Sequence, residues 1–215
     1  MCIQAFGAIE SASDRVCIST SGKLTPHLSA EDILSCCGYS CGNGCDGGWP
    51  SAAMEYLTST GAVTGGNYGD FTLCSSYEFE ICEHHSTGTH PSCSGSSETP
   101  SCPTQCDKQS TYKVPFNDDK HIFDTAYSID STESQIQIEL MTNGPVETAF
   151  SVYEDFLTYK TGVYQHIDGD ELGGHAVRML GWGVDKDDNN NEIKYWLLAN
   201  SWNEDWVCIL HSAQF

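Results

Sequence analysis

The chain has 215 residues and 12 cysteines, and its 9 Lys and Arg against 30 Asp and Glu give a net charge of −21. This charge argues against binding to nucleic acid or to an anionic membrane surface, and no run of about 18 apolar residues is present that could span a membrane. The number of cysteines indicates disulfides formed in an oxidising compartment. The excess of acids suits an acidic one, where protonation relieves self-repulsion.

The first 20 residues predict an amphipathic helix, with Arg15 suited to its last turn. Its apolar side chains recur at helical spacing: Ala5, Ile9, Ala12 and Val16. No secretory signal peptide follows Met1. Because a disulfide-rich protein needs such a signal, we expect that the sequence has lost its front end.

Residues 28–36 predict a short helix, with Ser29 as N-cap and Asp32 as an acidic residue in the first turn. Residues 36–50 then contain five glycines and four cysteines. This composition predicts a disulfide-stapled loop, followed by a helix from Pro50 to about residue 60. Within the loop, Gly47 and Gly48 offer bare backbone with which an extended peptide could pair. A purely structural role for the two glycines stays open.

Residues 61–111 are rich in Gly, Ser, Thr and Cys, and such a long loop region is typical of a functional or stapled segment. It contains the pair His84-His85, which on its own could simply be two exposed histidines. Zinc is a rival interpretation for this pair together with the clustered cysteines Cys36, Cys37, Cys41 and Cys45. The cysteine spacings disfavour zinc, because they do not form paired C-x-x-C motifs.

From residue 112 onward the pattern changes to short strands, with a helix near 131–141 and a strand within 144–153. Two apolar runs, at residues 173–183 and 195–202, predict further strands. His175 stands at the head of the first, after a Gly-Gly pair, and Asn200 ends the second. If these strands pair, the carboxamide of Asn200 can orient the imidazole of His175, which would serve as a general base. A core histidine beside a turn-forming asparagine is the alternative.

Both runs resemble the histidine and asparagine segments of papain-family cysteine peptidases, and the similarity extends from about Ala5 to Trp206. The segment from Cys82-Glu83-His84-His85 through Cys93 and Cys102 resembles the occluding loop of cathepsin B. The resemblance implies an α+β, papain-like two-lobed fold, incomplete at both ends. The helical left lobe would comprise residues 1–110, including an occluding loop at about 82–102. The β-barrel-like right lobe would comprise residues 111–215.

The resemblance also implies catalytic roles. In this family a histidine pairs with a thiolate, and His175 holds that position here. An asparagine, Asn200 in this chain, orients the histidine. A tryptophan, Trp202 in this chain, covers the pair. In this chain, however, Ile3 stands at the position of the nucleophile. Gln4 stands at the next position, where the family has a tryptophan. Cys2 lies one residue too early, which on a helix is a rotation of about 100°. We therefore expect the chain as written to lack peptidase activity.

Substrate-binding roles follow in the same way. The Gly47-Gly48 segment would pair with the substrate backbone, and three residues would form the main specificity pocket: Pro50, Ala149 and Ala176. His84 and His85 would bind the C-terminal carboxylate of a peptide. Such an enzyme is an endopeptidase that also removes dipeptides from C-termini, and acid pH favours the imidazolium form that attracts a carboxylate.

The likeness implies four disulfides: Cys36–Cys102, Cys37–Cys41, Cys74–Cys106 and Cys82–Cys93. Four cysteines keep no assigned partner: Cys2, Cys17, Cys45 and Cys208. In the family, the positions of Cys17 and Cys45 pair with cysteines upstream of this chain's start. Where the family often anchors the occluding loop with an arginine, this chain has His90. We hypothesise that His90 and Asp205 form an ion pair that closes the loop at low pH.

The expected partners are peptide or protein substrates and cystatin-like inhibitors, without metal, cofactor, nucleic acid or membrane. The protein is expected to be a monomer in lysosomes or outside the cell. The alternative to a peptidase is a non-catalytic cathepsin B homologue that binds peptides in the same cleft. A small disulfide-rich interaction module is disfavoured by the strongly apolar runs around His175 and Asn200.

Overall fold

The computed structural model describes residues 3–93, 97–187, 189–207 and 209–212, with Ile3 and Gln4 described by backbone alone. The helices are α1 (Ile3–Ser19), α2 (Ala30–Cys36), α3 (Pro50–Ser59) and α4 (Glu133–Asn143). The strands are β1 (Val146–Tyr153), β2 (Val163–Tyr164), β3 (Glu171–Lys186), β4 (Glu192–Ala199) and β5 (Ile209–Ser212). This mixture of helices and sheet agrees with the expected α+β class. No helix in the described ranges is both long and apolar enough to cross a membrane.

The helices begin where the sequence signals predicted. Ser29 caps α2, because its hydroxyl accepts a hydrogen bond from the Asp32 N–H at 3.2 Å, and Pro50 occupies the first turn of α3. The first helix runs beyond Arg15 to Ser19, so Arg15 does not lie in its last turn. Its buried face consists of small and aliphatic side chains, Ala5, Ala8, Ile9 and Ala12, which allow close packing against the rest of the helical core.

A buried ion pair fixes the helical core. The Asp32 carboxylate is fully buried and accepts from the Lys120 ammonium at 2.6 Å, the Tyr56 hydroxyl at 2.9 Å and the Val63 N–H at 2.7 Å. Each carboxylate oxygen therefore has a donor, as a buried charge requires. Lys120 belongs to a segment that also pairs His121 with Ala62. Residues 119–121 therefore pack on the helical core.

The strands form one five-stranded sheet in the order β1-β3-β4-β5-β2. The β1–β3, β3–β4 and β4–β5 pairs are antiparallel, and β2 lies parallel to β5. In the β3–β4 ladder the register shifts between Met179 and Gly181. The sheet core is a second hydrophobic cluster, whose most deeply buried members are Phe156, Leu198 and Leu210, each 0% exposed.

Two arginines connect the helical core to the sheet. Arg178 of β3 pairs with Asp14 of α1 at 2.7 Å and with Glu10 at 3.5 Å. Arg15 of α1 donates to the Pro145 carbonyl at 2.7 Å and pairs with Glu139 of α4 at 2.7 Å. These contacts hold α1 against the sheet and thereby set the position of the start of α1 relative to β3.

The described cysteines form four disulfides, and they are the four pairs that the family resemblance implied: Cys36–Cys102, Cys37–Cys41, Cys74–Cys106 and Cys82–Cys93. Cys17 is half-buried and forms no disulfide with another described cysteine. Cys45 lies in the stapled loop, where its N–H donates to the Thr99 hydroxyl at 3.1 Å. Cys2 and Cys208 lie outside the described residues.

Glu147 of β1 is half-buried, with its carboxyl group between the sheet and α1. A Cβ atom on Gly7 of α1 would lie 2.9 Å from its Oε1, and both carboxyl oxygens are buried without a hydrogen-bond partner among the residues that the structure describes. Its cross-strand neighbour Arg178 is held by Asp14 and Glu10. Burial raises the pKa of Glu147 to about 8, because desolvation disfavours the charged carboxylate.

We expect this carboxyl to make the protein less stable as the pH rises. The folded state binds the Glu147 proton more tightly than the unfolded state, so stability falls between the unfolded pKa near 4.5 and the folded pKa of about 8. Glu147→Gln should reduce this loss, on the order of a few kcal/mol at pH 8, in urea unfolding. Glu55→Gln, on the exposed face of α3, is the matched control. An unchanged pH dependence in Glu147→Gln would contradict the assignment.

Candidate active site

The structure brings His175 and Asn200 together at the edge of the sheet. His175 lies on β3 opposite Phe150 of β1, and Asn200 directly follows the last residue of β4. The His175 Nε2 and Asn200 Oδ1 atoms are 2.6 Å apart. The Ser201 N–H also donates to Asn200 Oδ1 at 2.9 Å, which identifies that atom as the carbonyl oxygen. His175 Nε2 must therefore carry the proton, and Nδ1 holds the lone pair of the neutral imidazole.

His175 is almost fully buried, at 2% exposure, and its Nδ1 has no hydrogen-bond partner among the described residues. Trp202 packs on the imidazole with ring centroids 4.9 Å apart, and Phe150 contacts it edge-on at 5.6 Å. Burial lowers the pKa of His175 to about 4, the Asn200 hydrogen bond raises it, and the charge of His84 lowers it further. The imidazole is therefore neutral above pH 5, with Nδ1 ready to accept a proton.

The predicted nucleophile position lies at the start of the helix that packs against this strand. Ile3 is the first residue of α1, and α1 contacts β3. A helix N-terminus carries partial positive charge, which stabilises an anion such as a thiolate. The side chain of Ile3 and the whole of Cys2 lie outside what the structure describes, so their contacts with His175 stay untested.

The Gly47-Gly48 segment forms an extended edge beside α3. Gly48 bridges to Gly42 through two flanking bonds, from Asn43 N to Gly47 O and from Trp49 N to Cys41 O, both 2.8 Å. The N–H and C=O of Gly48 itself make no hydrogen bond to the described residues. This backbone can pair with an extended peptide, and no atom lies within 4 Å of a Cβ built on Gly47.

Two of the three predicted pocket residues share a cavity. Pro50 and Ala149 line a space of about 1180 Å³ between α3 and the sheet, together with Met54 and Trp182. Ala176 is not in its wall. It is 7% exposed and lies opposite Ala149 in the β1–β3 ladder, so it forms the layer next to the pocket.

The predicted occluding loop places its two histidines over the same tryptophan that covers His175. The His84 ring stacks on Trp202 with centroids 6.0 Å apart, and the His85 ring lies 5.2 Å away. His84 is half-buried, and burial, with a smaller contribution from His85, lowers its pKa to about 4. His85 adopts a backbone φ of 53°, which is rare for histidine. Trp202 therefore connects the imidazoles of the loop to His175.

One group of potential metal ligands lies at the base of this loop, namely Cys82, His84 and Cys93. Cys82 and Cys93 are joined in a disulfide. A disulfide provides no thiolate, and thiolate is the form in which cysteine binds zinc. Of the cysteines considered for zinc in the sequence, Cys36, Cys37 and Cys41 are likewise in disulfides.

The proposed His90–Asp205 pair is wrong, because no ion pair joins these residues in the described part of the chain. Glu83 anchors the loop instead. Its carboxylate accepts from the His90 N–H at 2.8 Å and from Asn203 Nδ2 at 2.9 Å. The His90 bond is the main cause that holds the pKa of Glu83 below its usual value. Asp205 packs on the loop backbone, since a Cβ on Gly88 would lie 2.2 Å from its Oδ2.

Sequence reasoning missed two residues near the histidines. Glu83 directly precedes His84, and its 3% exposure could not be foreseen for a charged side chain in a polar loop. Lys160 lies 75 positions or more from the histidines in sequence, yet it lines a cavity of about 510 Å³ with His84 and His85. No local motif marks it.

Comparisons with known proteins agree with this geometry. The sequence pattern of the papain family of cysteine proteases matches residues 2–208. The chain is 48% identical over 203 residues to a cathepsin B-like cysteine proteinase of Schistosoma japonicum, which covers 94% of the chain and 57% of that protein. It is 50% identical over 204 residues to cathepsin B-like cysteine proteinase 4 of Caenorhabditis elegans, covering 94% of the chain and 59% of that protein.

The fold has a solved counterpart. Procathepsin B S9 from Trypanosoma congolense superposes with a TM-score of 0.76 at 33% identity, over 99% of this chain and 62% of that one. The chain thus spans less than two thirds of the length of each of these three proteins.

Proposed function

Since the chain belongs to the papain family of cysteine peptidases, we propose that it is a cathepsin B-type protein built to bind peptides for hydrolysis at His175 and Asn200. As written, it binds them without cleaving them, because Ile3 stands at the nucleophile position. The observation that carries the proposal is the 2.6 Å contact from His175 Nε2 to Asn200 Oδ1, while Nδ1 has no hydrogen-bond partner in the described part of the chain.

That arrangement supports one reaction in particular. In a complete site a thiolate attacks the peptide carbonyl, and the imidazolium of His175 protonates the leaving amine. The neutral imidazole then activates the water that hydrolyses the thioester. The amide of Asn200 keeps the ring oriented in both steps. An isoleucine side chain has neither a proton to give up nor a lone pair to attack with, so the first step cannot occur at Ile3.

The cleft supplies separate contacts for the two ends of a peptide. The free N–H and C=O of Gly48 would pair with the backbone before the scissile bond, and the cavity of Pro50 and Ala149 would hold an apolar side chain. On the opposite side, His84 and His85 would receive a C-terminal carboxylate. We therefore expect endopeptidase specificity combined with dipeptidyl carboxypeptidase specificity at the level of the family.

The cellular setting is part of the same proposal. Four disulfides and a net charge of −21 suit a lysosomal or extracellular protein. Peptides and cystatin-like inhibitors are the partners that such a cleft would accept, and a monomer is sufficient to form it. We also propose that the helical core and the sheet are the two lobes on either side of the cleft.

A dedicated peptide-binding homologue is the second candidate. The residue at position 3 favours it, because a protein that only binds peptides needs no nucleophile. Both candidates require an intact cleft, and they differ in whether the rest of the catalytic site has been kept. Restoring the nucleophile distinguishes them, as argued in the Discussion.

Binding without cleavage can be measured directly. We expect a fluorescein-labelled peptide to bind the 215-residue chain at pH 5 in fluorescence anisotropy, and mass spectrometry to recover the peptide intact. A matched peptide with N-methylated backbone amides should bind at least about fivefold more weakly, because it loses its hydrogen bond to the Gly48 carbonyl. Equal binding of both peptides would contradict the pairing with Gly48, and cleavage by the unmodified chain would contradict the inactivity.

A further inference from the structure

Lys160 faces the histidines of the loop from the other side of their cavity. The space of about 510 Å³ is bounded by His84 and His85 on the loop side and by Lys160 on the sheet side. Lys160 forms no ion pair within the described part of the chain, although the protein has 30 acidic residues and only 9 lysines and arginines. A cation left without a carboxylate in so acidic a protein, beside a cavity, is positioned to bind an anion from outside.

Among the described residues of the cavity wall, Glu83 provides the one carboxylate, and it is already hydrogen-bonded. Glu83 accepts hydrogen bonds from the His90 N–H, Asn203 Nδ2 and the Ser86 hydroxyl. These partners hold the Glu83 carboxylate at the base of the loop. It therefore does not neutralise Lys160, and no Lys160–Glu83 ion pair is found in the described chain.

The backbone that carries Lys160 is rigidly placed. It follows the 3₁₀ helix Glu154–Thr158 and the aromatic residue Tyr159, whose ring packs against Phe156 and Trp206 of the sheet core. The Tyr159 hydroxyl donates to the Gly162 carbonyl at 2.6 Å, which closes the turn just after Lys160. Lys160 thus lines the cavity from a segment next to the sheet, and the loop that lines it too is tied separately by the Cys82–Cys93 disulfide.

The imidazole beside it is a poor source of positive charge. Burial lowers the pKa of His84 to about 4, so at pH 5 this ring is mostly neutral before a ligand binds. Lysine ammonium groups ordinarily keep their charge far above this range. At mildly acidic pH, Lys160 is therefore the main source of electrostatic attraction for an anion in this cavity. His84 acts as a hydrogen-bonding group.

We propose that Lys160 is a specificity-determining residue that, together with His84 and His85, binds the carboxylate of a peptide. The proposal rests on the peptide-binding function proposed above. The bound carboxylate bridges the loop to the sheet, so it also holds the loop closed. Two sources share this chemistry, namely the C-terminal carboxylate of the peptide and an acidic side chain near its C-terminus.

Three matched peptides separate these sources: one with a free C-terminus, its C-terminal amide, and the amide with aspartate as the last residue. We expect the free acid to bind the full chain about tenfold more tightly than the plain amide in fluorescence anisotropy at pH 5. Lys160→Gln should reduce this ratio to about twofold, and Lys160→Arg should restore most of it. In 0.5 M salt the ratio should fall about as far, because screening weakens exposed charges. Lys113→Gln, an exposed lysine elsewhere, is the control.

The outcomes are separable. If the free acid and the amide both bind but Lys160→Gln leaves their ratio unchanged, the role of Lys160 is refuted while the peptide cleft stands. If none of the three peptides binds, the proposed function itself fails. The aspartyl amide could instead bind more tightly than the free acid, and Lys160→Gln could abolish this preference. That result would assign the site to acidic side chains. Limited proteolysis provides a second readout, in which the free acid should protect the loop in the unmodified chain but not in Lys160→Gln.

Discussion

Replacing Ile3 with cysteine is expected to create a thiol that iodoacetamide alkylates at pH 6 at least about 100-fold faster than the thiol of Cys17. Ile3 is the first residue of α1, where the helix dipole stabilises an anion, and none of the described residues forms a hydrogen bond to the Nδ1 of His175. A thiol with an ordinary pKa near 8.5 is about 0.3% ionised at pH 6, and a thiolate paired with His175 would be mostly ionised. The rate of alkylation, followed by mass spectrometry of the peptide that contains residue 3, measures this difference.

Two further variants test the mechanism. In Ile3→Cys combined with His175→Ala, the fast reaction should disappear, because the new thiol can no longer transfer its proton to Nδ1 of His175 and form a thiolate–imidazolium pair. In Ile3→Cys combined with Cys2→Ser, it should persist, which excludes the neighbouring thiol. Hydrolysis of a fluorogenic peptide amide should appear in Ile3→Cys and fall again in the His175 variant. An ordinary alkylation rate in Ile3→Cys would show that the catalytic site has not been kept, and it would favour the peptide-binding homologue.

The second large effect concerns stability. Asp32→Ala should lower the free energy of unfolding by about 3–5 kcal/mol, because it leaves the Lys120 ammonium buried without its counter-charge. The Tyr56 hydroxyl and the Val63 N–H lose their acceptor as well. Urea unfolding, monitored by tryptophan fluorescence and circular dichroism, measures the change.

An exposed ion pair in the same protein provides the control. Lys194 and Glu133 are 2.8 Å apart, comparable to the buried pair, but their side chains are 70% and 48% exposed. Glu133→Gln should therefore leave the urea midpoint unchanged within error. If Asp32→Ala lowered the free energy of unfolding as little as Glu133→Gln, the buried pair would not stabilise the helical core as its contacts indicate.

Local signals made part of this fold predictable. The cap of α2 depends on Ser29 and Asp32, which are three residues apart, and the start of α3 on one proline. The contact between His175 and Asn200 followed from two apolar runs that could pair as strands. In each case the residues that determine the feature are close in sequence or belong to neighbouring strands. In paired strands, the alternation of apolar and polar residues fixes their relative position.

The features that could not be predicted depend on distant parts of the chain. Asp32 and Lys120 are 88 residues apart, and burial of an ion pair leaves no periodic pattern. The loop anchor was assigned to His90 by analogy with an arginine, but the loop backbone turns so that the His90 N–H, rather than its ring, meets Glu83. Glu147 looked like an ordinary alternating residue of a strand. Only the packing of α1 against β1 shows that its carboxyl group has no solvent.

The irregularity in the β3–β4 ladder has a consequence for how this gene can vary. Arg178 pairs with Ala199 on one side of the shift, and Gly181 pairs with Leu197 on the other. The shift thus lies between the site and the hairpin connection at residues 187–191. Insertions or deletions in that connection leave the register at His175 and Asn200 untouched, so its length can drift. Losing the codon of Val177, before the shift, would instead move Arg178 and Met179 by one position and turn their side chains to the opposite face of the sheet. Lineages that keep a working site should therefore vary in the connection and hold the length of the stretch from His175 to Met179.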